Sequence, residues 1–320
     1  MKGKHSVTVA NNVLRYRFEI QRNITIIKGD SATGKTTLVD MIREYYENGE
    51  QSGILLQCDK QCVVLEGRQW KLLLDNIHES IVFIDEGNMF ISSNEFADAV
   101  KHSDNYYVIV TRESLPSLPY SVDEIYGIRS SGKYGTLQQT YQEFYHIYGN
   151  ADYRESFSPD VIIVEDSNSG CEFFEYVTEE QNCQVVSAGG KSNIFKKLAG
   201  YADENVLVIA DGAAFGPEMD RVVKRISMKD NQLLYLPESF EWLVLQSGVV
   251  KDTEISKVLE EPSEYIDSEK YMSWERYFTA LLVDKTQDTY LRYEKARLNS
   301  AYKNKKIVEK IIGVIPKKIL

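Results

Sequence analysis

Short apolar runs alternate with helix-like stretches along this sequence. Residues 24–27 (ITII), 81–84 (IVFI) and 106–110 (YYVIV) are continuous apolar runs of strand length, which predict buried strands. After the first run, apolar residues recur at helical spacing, at Leu38, Met41, Ile42 and Tyr45. Strands that alternate with helices predict a parallel sheet with helices on its faces.

Weaker signals surround these runs. Shorter strands are predicted on either side of turn residues, at 6–9, 13–18, 54–58 and 62–66. A helix is predicted at 72–77. Residues 127–134 follow a polar stretch and also show a G-x₄-G-K spacing, but Tyr134 stands where a magnesium ligand would be needed. We therefore predict a loop there.

The strand and helix alternation restarts after the polar stretch 151–159, which has the composition of a linker. Strands with helices between them are predicted at 161–164, 184–187 and 205–210. Beyond about residue 250 the pattern is helical, with Trp274, Tyr277, Phe278, Leu281 and Leu282 on one face. The fold class is therefore α/β, in three predicted parts: residues 1–155, 156–245 and 246–320.

A glycine-rich loop joins the first apolar run to the first helix. The segment GDSATGKT fits the P-loop spacing G-x-x-x-x-G-K-[ST] without a mismatch. Its glycines let several backbone N–H groups point at one phosphate chain. Lys35 would reach the β- and γ-phosphates, and the Thr36 hydroxyl would ligate Mg²⁺. The predicted nucleotide contacts are Gly29, Asp30, Ser31, Ala32, Thr33, Gly34, Lys35, Thr36 and Thr37.

Two acidic residues follow the second apolar run, as in a Walker B strand. We expect this strand to lie beside the strand that precedes the loop and to deliver its acids to the metal. Asp85 would hold Mg²⁺ through water, and Glu86 would orient or deprotonate the attacking water. Because the sequence has no Asn-Lys-x-Asp motif for reading guanine, the predicted nucleotide is ATP.

The third apolar run ends in Thr111 and Arg112. The region resembles P-loop ATPases that carry a catalytic glutamate after the Walker B aspartate. In those proteins the next strand often ends in a polar residue that senses the γ-phosphate, a place that the resemblance gives to Thr111. Arg112 or Arg129 could stabilise charge on the transferred phosphoryl group, in the same chain or across a homo-oligomer, although either arginine is also explained as a surface residue.

Composition limits the ligands and the cellular location that we expect for this protein. The formal net charge of −11 argues against a general electrostatic nucleic-acid coat, although Tyr290–Leu320 holds nine Lys or Arg residues against Glu294 and Glu309. The sequence shows no secretory signal and no run long enough to span a membrane, so we expect a cytoplasmic protein. Four cysteines do not make a disulfide framework, and Cys58 and Cys62 are expected to be buried thiols on neighbouring strands.

The second half resembles a Toprim domain, the metal-binding fold of topoisomerases, primases and OLD-family nucleases. Glu165 ends the first strand in VIIVEDSNSG, a glycine turn follows the second in VVSAGGKSN, and Asp211 ends the third in VLVIADGAAFG. The resemblance gives Glu165 a general acid or base role and places Mg²⁺ on Glu165 and Asp211. An ATPase followed by a Toprim domain is also the domain order of OLD-family nucleases.

The sequence departs from the Toprim pattern at Ala213, where the family has a second aspartate. This change removes a hard oxygen ligand, which Glu218 or Asp220 could replace only if they reach the site. The expected function is an ATPase that controls a Toprim-like domain acting on or sensing nucleic acid, in phage defence or a mobile element. Two alternatives stay open: an ATP-dependent scaffold that docks a partner protein, and a small-molecule phosphotransferase.

Overall fold

The computed structural model divides the chain into two compact units. It describes residues 1–29, 33–134, 139–149, 157–317 and 319, with the side chains of 131–134 outside the description. Unit 1 comprises residues 1–149 and 262–273, and unit 2 comprises residues 150–261 and 274–320. Asp30, Ser31 and Ala32 of the glycine loop lie outside the described residues.

Unit 1 is a mixed α/β unit. In its described residues the strands are β1 (His5–Ala10), β2 (Leu14–Ile20), β3 (Ile24–Ile27), β4 (Leu55–Gln57), β5 (Cys62–Val64), β6 (Ile81–Ile84), β7 (Tyr106–Val110), β8 (Ile125–Tyr134) and β9 (Thr140–His146). The α-helices are α1 (Lys35–Asn48), α2 (Trp70–Leu74) and α3 (Asn94–Lys101).

These strands form a single sheet in the order β4-β1-β2-β9-β8-β3-β7-β6-β5. The pairings from β8 through β3, β7 and β6 to β5 are parallel. For β3, β6 and β7 the apolar runs predict this arrangement. The pairs β1–β2, β1–β4 and β8–β9 are antiparallel. Strands β3, β6 and β7 are buried at every position, because they lie within the sheet and both of its faces are covered there.

The sheet curls around α1. Strands β4 and β5 form its two edges, yet only four residues, 58–61, connect them. Because the five Cα–Cα steps from Gln57 to Cys62 span about 19 Å at most, the edges must approach each other. Helix α1 packs into this curl through a buried apolar face. This face belongs to the same hydrophobic cluster as residues from both halves of the sheet, and it consists of Leu38, Val39, Met41 and Ile42.

Three expectations for unit 1 are wrong. Strand β7, not β6, pairs with β3, because a helical crossover can pass over a neighbouring position in the sheet. Residues 127–134 lie in β8, because pairing with β9 outweighs their polar composition. Cys58 and Cys62 do not lie on paired strands, since β4 and β5 are opposite edges, and Cys58 is only partly buried.

A segment from late in the chain completes unit 1. The Gly3 N–H donates to the Ser263 carbonyl at 2.8 Å. The Asn23 side-chain amide, in the turn before β3, donates to the carbonyls of Ser268 at 3.1 Å and Tyr271 at 3.2 Å. Residues 262–273 therefore satisfy polar groups next to the strand that leads into the glycine loop.

Unit 2 contains a four-stranded, wholly parallel sheet in the order β11-β10-β12-β13. The strands are β10 (Val161–Val164), β11 (Gln184–Ser187), β12 (Val206–Ile209) and β13 (Gln232–Tyr235). The described helices are α4 (Ser169–Thr178), α5 (Lys191–Gly200), α6 (Met219–Ile226), α7 (Phe240–Gln246), α8 (Thr253–Glu260), α9 (Trp274–Thr286) and α10 (Lys305–Ile312).

The strand order of unit 2 reverses between β10 and β12. The chain leaves β10 for β11 on one side and then returns past β10 to β12 and β13 on the other. In open parallel sheets, ligands bind outside the carboxyl ends of the strands at such a reversal. Among the described residues, no helix of either unit is long and apolar enough to cross a membrane.

Gly212 provides a test of the packing next to this reversal. Its N–H donates to the Pro237 carbonyl at 2.6 Å, and an added Cβ would lie 2.9 Å from the Leu236 carbonyl oxygen. Because backbone cannot yield cheaply, Gly212→Ala should lower the free energy of unfolding by about 1–3 kcal/mol in urea titrations. Gly200→Ala, whose Cβ meets no atom within 4 Å, should equal the wild type or exceed it. Equal stability of the two variants would contradict this packing.

Candidate functional site

The glycine loop ends at the first residue of α1. Gly34 has a φ of 87°, a left-handed value that favours glycine. The Tyr16 hydroxyl, on β2, donates to the Gly34 carbonyl at 2.9 Å, and an added Cβ on Gly34 would lie 2.8 Å from that hydroxyl oxygen. The sheet therefore fixes the end of the loop, and Gly34 has no room for a side chain.

Lys35 closes the loop on itself. Its Nζ donates to the Gly29 carbonyl at 2.9 Å and to Thr33 Oγ1 at 2.9 Å, and the residue is buried. The ammonium thus bridges residues on both sides of 30–32. Thr36 and Thr37 are exposed in the first turn of α1, which carries no acidic residue. The positive end of the helix is therefore not neutralised by its own first turn.

The acidic residues after β6 lie at the same edge of the sheet, since β3, β7 and β6 are adjacent and parallel. Asp85 is partly buried, and its Oδ1 accepts from the Glu86 N–H at 2.9 Å. Glu86 accepts two hydrogen bonds from Arg112, from Nε to Oε2 and from Nη2 to Oε1, each at 3.0 Å. The structure thus brings together a candidate catalytic acid and an arginine from the next strand.

Thr111 and Arg129 occupy different environments. Thr111 follows β7 and is buried, and its hydroxyl exchanges hydrogen bonds with the Glu113 N–H and carbonyl, both at 3.1 Å. Thr111 therefore lies just beyond β7, the strand between β3 and β6, with its hydroxyl engaged in the local turn. Arg129 is exposed on β8, with its guanidinium 5.2 Å from the centre of the Tyr145 ring.

In unit 2, Glu165 and Asp211 meet where the strand order reverses. Glu165 follows β10, Asp211 lies just beyond β12, and these two strands are paired in parallel. The Asp211 N–H donates to Glu165 Oε2 at 3.1 Å. The glycine turn predicted after β11 is present, with φ values of 70° at Gly189 and 118° at Gly190. Lys191 then begins α5 and donates to the Ala214 carbonyl at 2.7 Å.

Three further charged residues complete this acidic crevice, which we define as Glu165, Asp211, Glu241, Glu275, Lys191 and Lys295. Glu241 is buried in the first turn of α7, and its Oε1 accepts from the Tyr293 hydroxyl at 2.8 Å. Lys295 Nζ donates to Glu275 Oε1 at 2.6 Å and lies 4.0 Å from Glu241 Oε1. A cavity of about 20 Å³ opens among Glu165, Asp211, Glu241 and Lys295, which is room for one water or one small ion.

Three residues of the crevice were not predicted from the sequence: Glu241 on α7, Glu275 on α9 and Lys295 in the segment that follows α9. The only signal was Glu241 itself, an acid within the otherwise apolar run FEWLVL. Glu218, considered as a replacement ligand, instead pairs with Arg221. Ala213 is buried, and its N–H donates to the Glu238 carbonyl at 3.3 Å.

The crevice disfavours negative charge. Burial raises the pKa of Glu165 to about 7. The hydrogen bond from the Asp211 N–H opposes this rise, and the nearby Glu275 carboxylate adds to it. Burial and the carboxylates of Glu275, Glu165 and Glu241 also raise the pKa of Asp211 well above its usual range. Burial lowers the pKa of Lys191, although Glu165 opposes the change. Two of the four carboxyl groups therefore favour the protonated form.

The residues that surround this cavity do not form a ready cation site. In the described part of the chain, no three His, Cys, Asp or Glu side chains are placed to hold one metal ion. Oxygens of Glu165, Glu241 and Glu275 already accept hydrogen bonds from protein donors. The metal roles expected for Glu165 and Asp211 stay predictions.

Comparison with known proteins adds no assignment. The sequence matches no protein-family model, and no curated protein is similar enough to count as a relative. The conclusions about function therefore depend on the geometry of the two units and on the motifs in their sequence.

The raised pKa of Glu165 predicts a pH dependence of stability. The folded state retains a proton that the unfolded chain releases near pH 4.5, so this stabilisation is complete below that pH and is lost as the pH rises through about 7. Glu165→Gln, which cannot ionise, should therefore be more stable than the wild type at pH 7.5 by on the order of 1–2 kcal/mol, and the difference should shrink at pH 4.5. Chemical denaturation with chelator present measures both.

The matched control is Glu180→Gln, an exposed glutamate in the same unit. Its difference from the wild type should be near zero at both pH values. A Glu165→Gln variant that is less stable at pH 7.5 than at pH 4.5, relative to the wild type, would show that folding lowers the pKa of Glu165 and would contradict the prediction.

Proposed function

We propose that unit 1 binds and hydrolyses ATP with Mg²⁺, and that the nucleotide state controls unit 2, a Toprim-like unit that acts on or senses nucleic acid. In this proposal, the nucleotide state controls unit 2 through a partner protein or through a homo-oligomer. The resemblance to OLD-family nucleases supports a role in phage defence or in a mobile element.

One observation carries the ATPase part of the proposal. The buried ammonium of Lys35 bridges Gly29 and Thr33 at the positive end of α1, at the same sheet edge as Asp85 and Glu86. A cation, a glycine turn and a helix N-terminus are the groups that bind a phosphate chain. Asp85 and Glu86 follow β6, and their carboxylates are the groups that would bind Mg²⁺ and orient an attacking water.

These residues fit magnesium-bound ATP in distinct roles. Lys35 would contact the β- and γ-phosphates, Thr36 would ligate the metal, and Asp85 would hold it through water. The bound metal supplies neutralisation of the charge that builds on the transferred phosphoryl group. Glu86 would orient the water, and the two hydrogen bonds from Arg112 fix the direction of its carboxylate.

Support for the function of unit 2 comes from its crevice and its charge. Glu165 and Asp211 lie at the strand reversal where open parallel sheets bind ligands. The segment from Tyr290 to Leu320 is strongly basic in a chain of net charge −11, which favours a local contact with a polyanion. The chain also passes between the units three times, after residues 149, 261 and 273, so the units are linked by more than one connection.

A second candidate is an ATP-dependent scaffold in which unit 2 docks a partner protein and has no catalytic role. Ala213 favours this candidate, because a buried methyl group stands where the Toprim pattern has a metal-binding carboxylate. Loss of one hard ligand weakens a magnesium site without disturbing the sheet.

Two variants of unit 1 test the ATPase. Lys35→Ala should weaken ATP binding at least tenfold, because it removes the cation from the phosphate loop. Glu86→Gln should keep ATP affinity and lower kcat by about 10²- to 10³-fold, because the amide cannot accept the proton of water. Binding is measured with a fluorescent ATP analogue, and turnover is measured as phosphate release in Mg²⁺.

The control for these variants is Lys101→Ala, which removes an exposed lysine at the end of α3. It should leave affinity and turnover unchanged. ATP affinity that survives Lys35→Ala, in protein that unfolds at the wild-type temperature, would remove the ATP site from this loop.

The role of unit 2 is tested with labelled DNA and RNA, in Mg²⁺ or Mn²⁺, with and without ATP. We expect salt-sensitive binding without cleavage, because Ala213 leaves the metal site short of a ligand. Metal-dependent cleavage that is lost in Asp211→Ala would instead establish a nuclease. Neither binding nor cleavage, with ATP turnover intact, would favour the scaffold.

A further inference from the structure

We infer that Lys295 is the resident cation of the acidic crevice, and that its ammonium takes the place a divalent metal ion would occupy among the carboxylates of unit 2. The inference depends on the part of the proposed function that gives unit 2 a Toprim-like crevice. It is independent of ATP turnover in unit 1. The position of Lys295 supports this inference. Lys295 lies between Glu275 and Glu241, and it lines the same cavity as Glu165 and Asp211.

The charge of the crevice is the first reason to assign this role to Lys295. Four carboxyl groups contribute to the crevice, and burial makes an uncompensated group of this kind costly. Lys295 lies 2.6 Å from one carboxylate and 4.0 Å from a second, and its side chain is about one-third exposed. Burial alone would lower the pKa of Lys295, but the carboxylates of Glu241, Glu275 and Asp211 raise it. The amine is therefore held as an ammonium.

The second reason is ligand availability. A magnesium ion needs about six oxygen ligands at close to 2.1 Å. Here Glu165 Oε2 accepts from the Asp211 N–H, Glu241 Oε1 accepts from Tyr293, and Glu275 Oε1 accepts from Lys295. One oxygen of each of these three carboxyl groups is therefore engaged by a protein donor, and the remaining cavity of about 20 Å³ has no room for an ion with its waters.

The third reason is the way in which Lys295 is held. Its own carbonyl accepts from the Ser169 N–H at 3.0 Å, at the start of α4. Two residues earlier, the Tyr293 hydroxyl lies 2.5 Å from Ser169 Oγ and donates to Glu241. Backbone and side chain of residues 293–295 are thus both anchored at the crevice, so the ammonium is part of a built arrangement and not a surface lysine that happens to lie near acids.

The test is exchange of the lysine for a metal ion. Lys295→Met keeps the apolar stem and removes the charge, which should lower the unfolding midpoint by about 5 °C or more because Glu241 and Glu275 lose their counter-ion. Millimolar Mn²⁺ should restore most of this loss in Lys295→Met and should not raise the wild-type midpoint. Mn²⁺ binding, measured by calorimetry without nucleotide, should be at least about tenfold tighter in Lys295→Met than in the wild type.

Three variants serve as controls. Lys305→Met makes the same charge change at an exposed position of α10 and should show neither the loss nor the rescue. Lys295→Arg keeps the cation and should not gain the Mn²⁺ effect. If Lys295→Met does not fold, the double variant Lys295→Met with Glu275→Gln removes one charge of each sign and should fold with a midpoint closer to the wild type.

Two results would overturn the inference. One is a wild-type protein that binds one Mn²⁺ ion and loses it in Asp211→Asn, which would show a metal site alongside the lysine. The other is a Lys295→Met variant with wild-type stability and no gain in Mn²⁺ affinity. If Lys35→Ala or Glu86→Gln does not change ATP turnover, the proposed ATPase is contradicted. The Mn²⁺ binding and stability results for Lys295 do not depend on that outcome.

Discussion

The packing of α1 inside the curled sheet is the constraint on which unit 1 depends. A sheet whose two edges are joined by four residues can close only if something fills its concave side, and the apolar face of α1 does so. The same packing fixes where α1 begins. Its first residue is Lys35, so burying the helix also places Gly34, the last residue of the glycine loop before the helix, against Tyr16. Hydrophobic burial, which has no direction of its own, thereby positions a polar loop to within hydrogen-bonding accuracy.

The sequence predicted the buried parallel strands well and the order of the sheet poorly. Residues 161–164 and 184–187 form strands with the predicted bounds. The first is buried at every position, as its continuous apolar run indicates, whereas the second is a partly exposed edge strand. Which strands become neighbours is decided by crossover paths that leave no local signal, so β7 was not expected between β3 and β6. Strand β8 was missed for a related reason, since its polar residues are held by pairing with β9.

In the candidate sites, too, local features were predicted from the sequence and contacts between distant residues were not. Motifs within one stretch of chain, such as Gly29 to Lys35 or Glu165 after β10, were visible because the chemistry and the spacing are local. Glu241, Glu275 and Lys295 were not visible, because they meet only after α7, α9 and the segment that follows α9 pack together. Lys295 in particular was one of nine basic residues near the end of the chain, and only its position distinguishes it from the others.

The two units use charge in physically different ways. The Glu86–Arg112 pair is exposed, and such pairs contribute little to stability, so its partners can exchange for other ions at small cost. The crevice of unit 2 is a shielded cluster in which removing one partner leaves others uncompensated. A mobile cofactor suits the first environment, because solvent can replace it between cycles. A covalently attached cation suits the second, because a lysine cannot dissociate and the buried carboxylates are never left without a counter-charge.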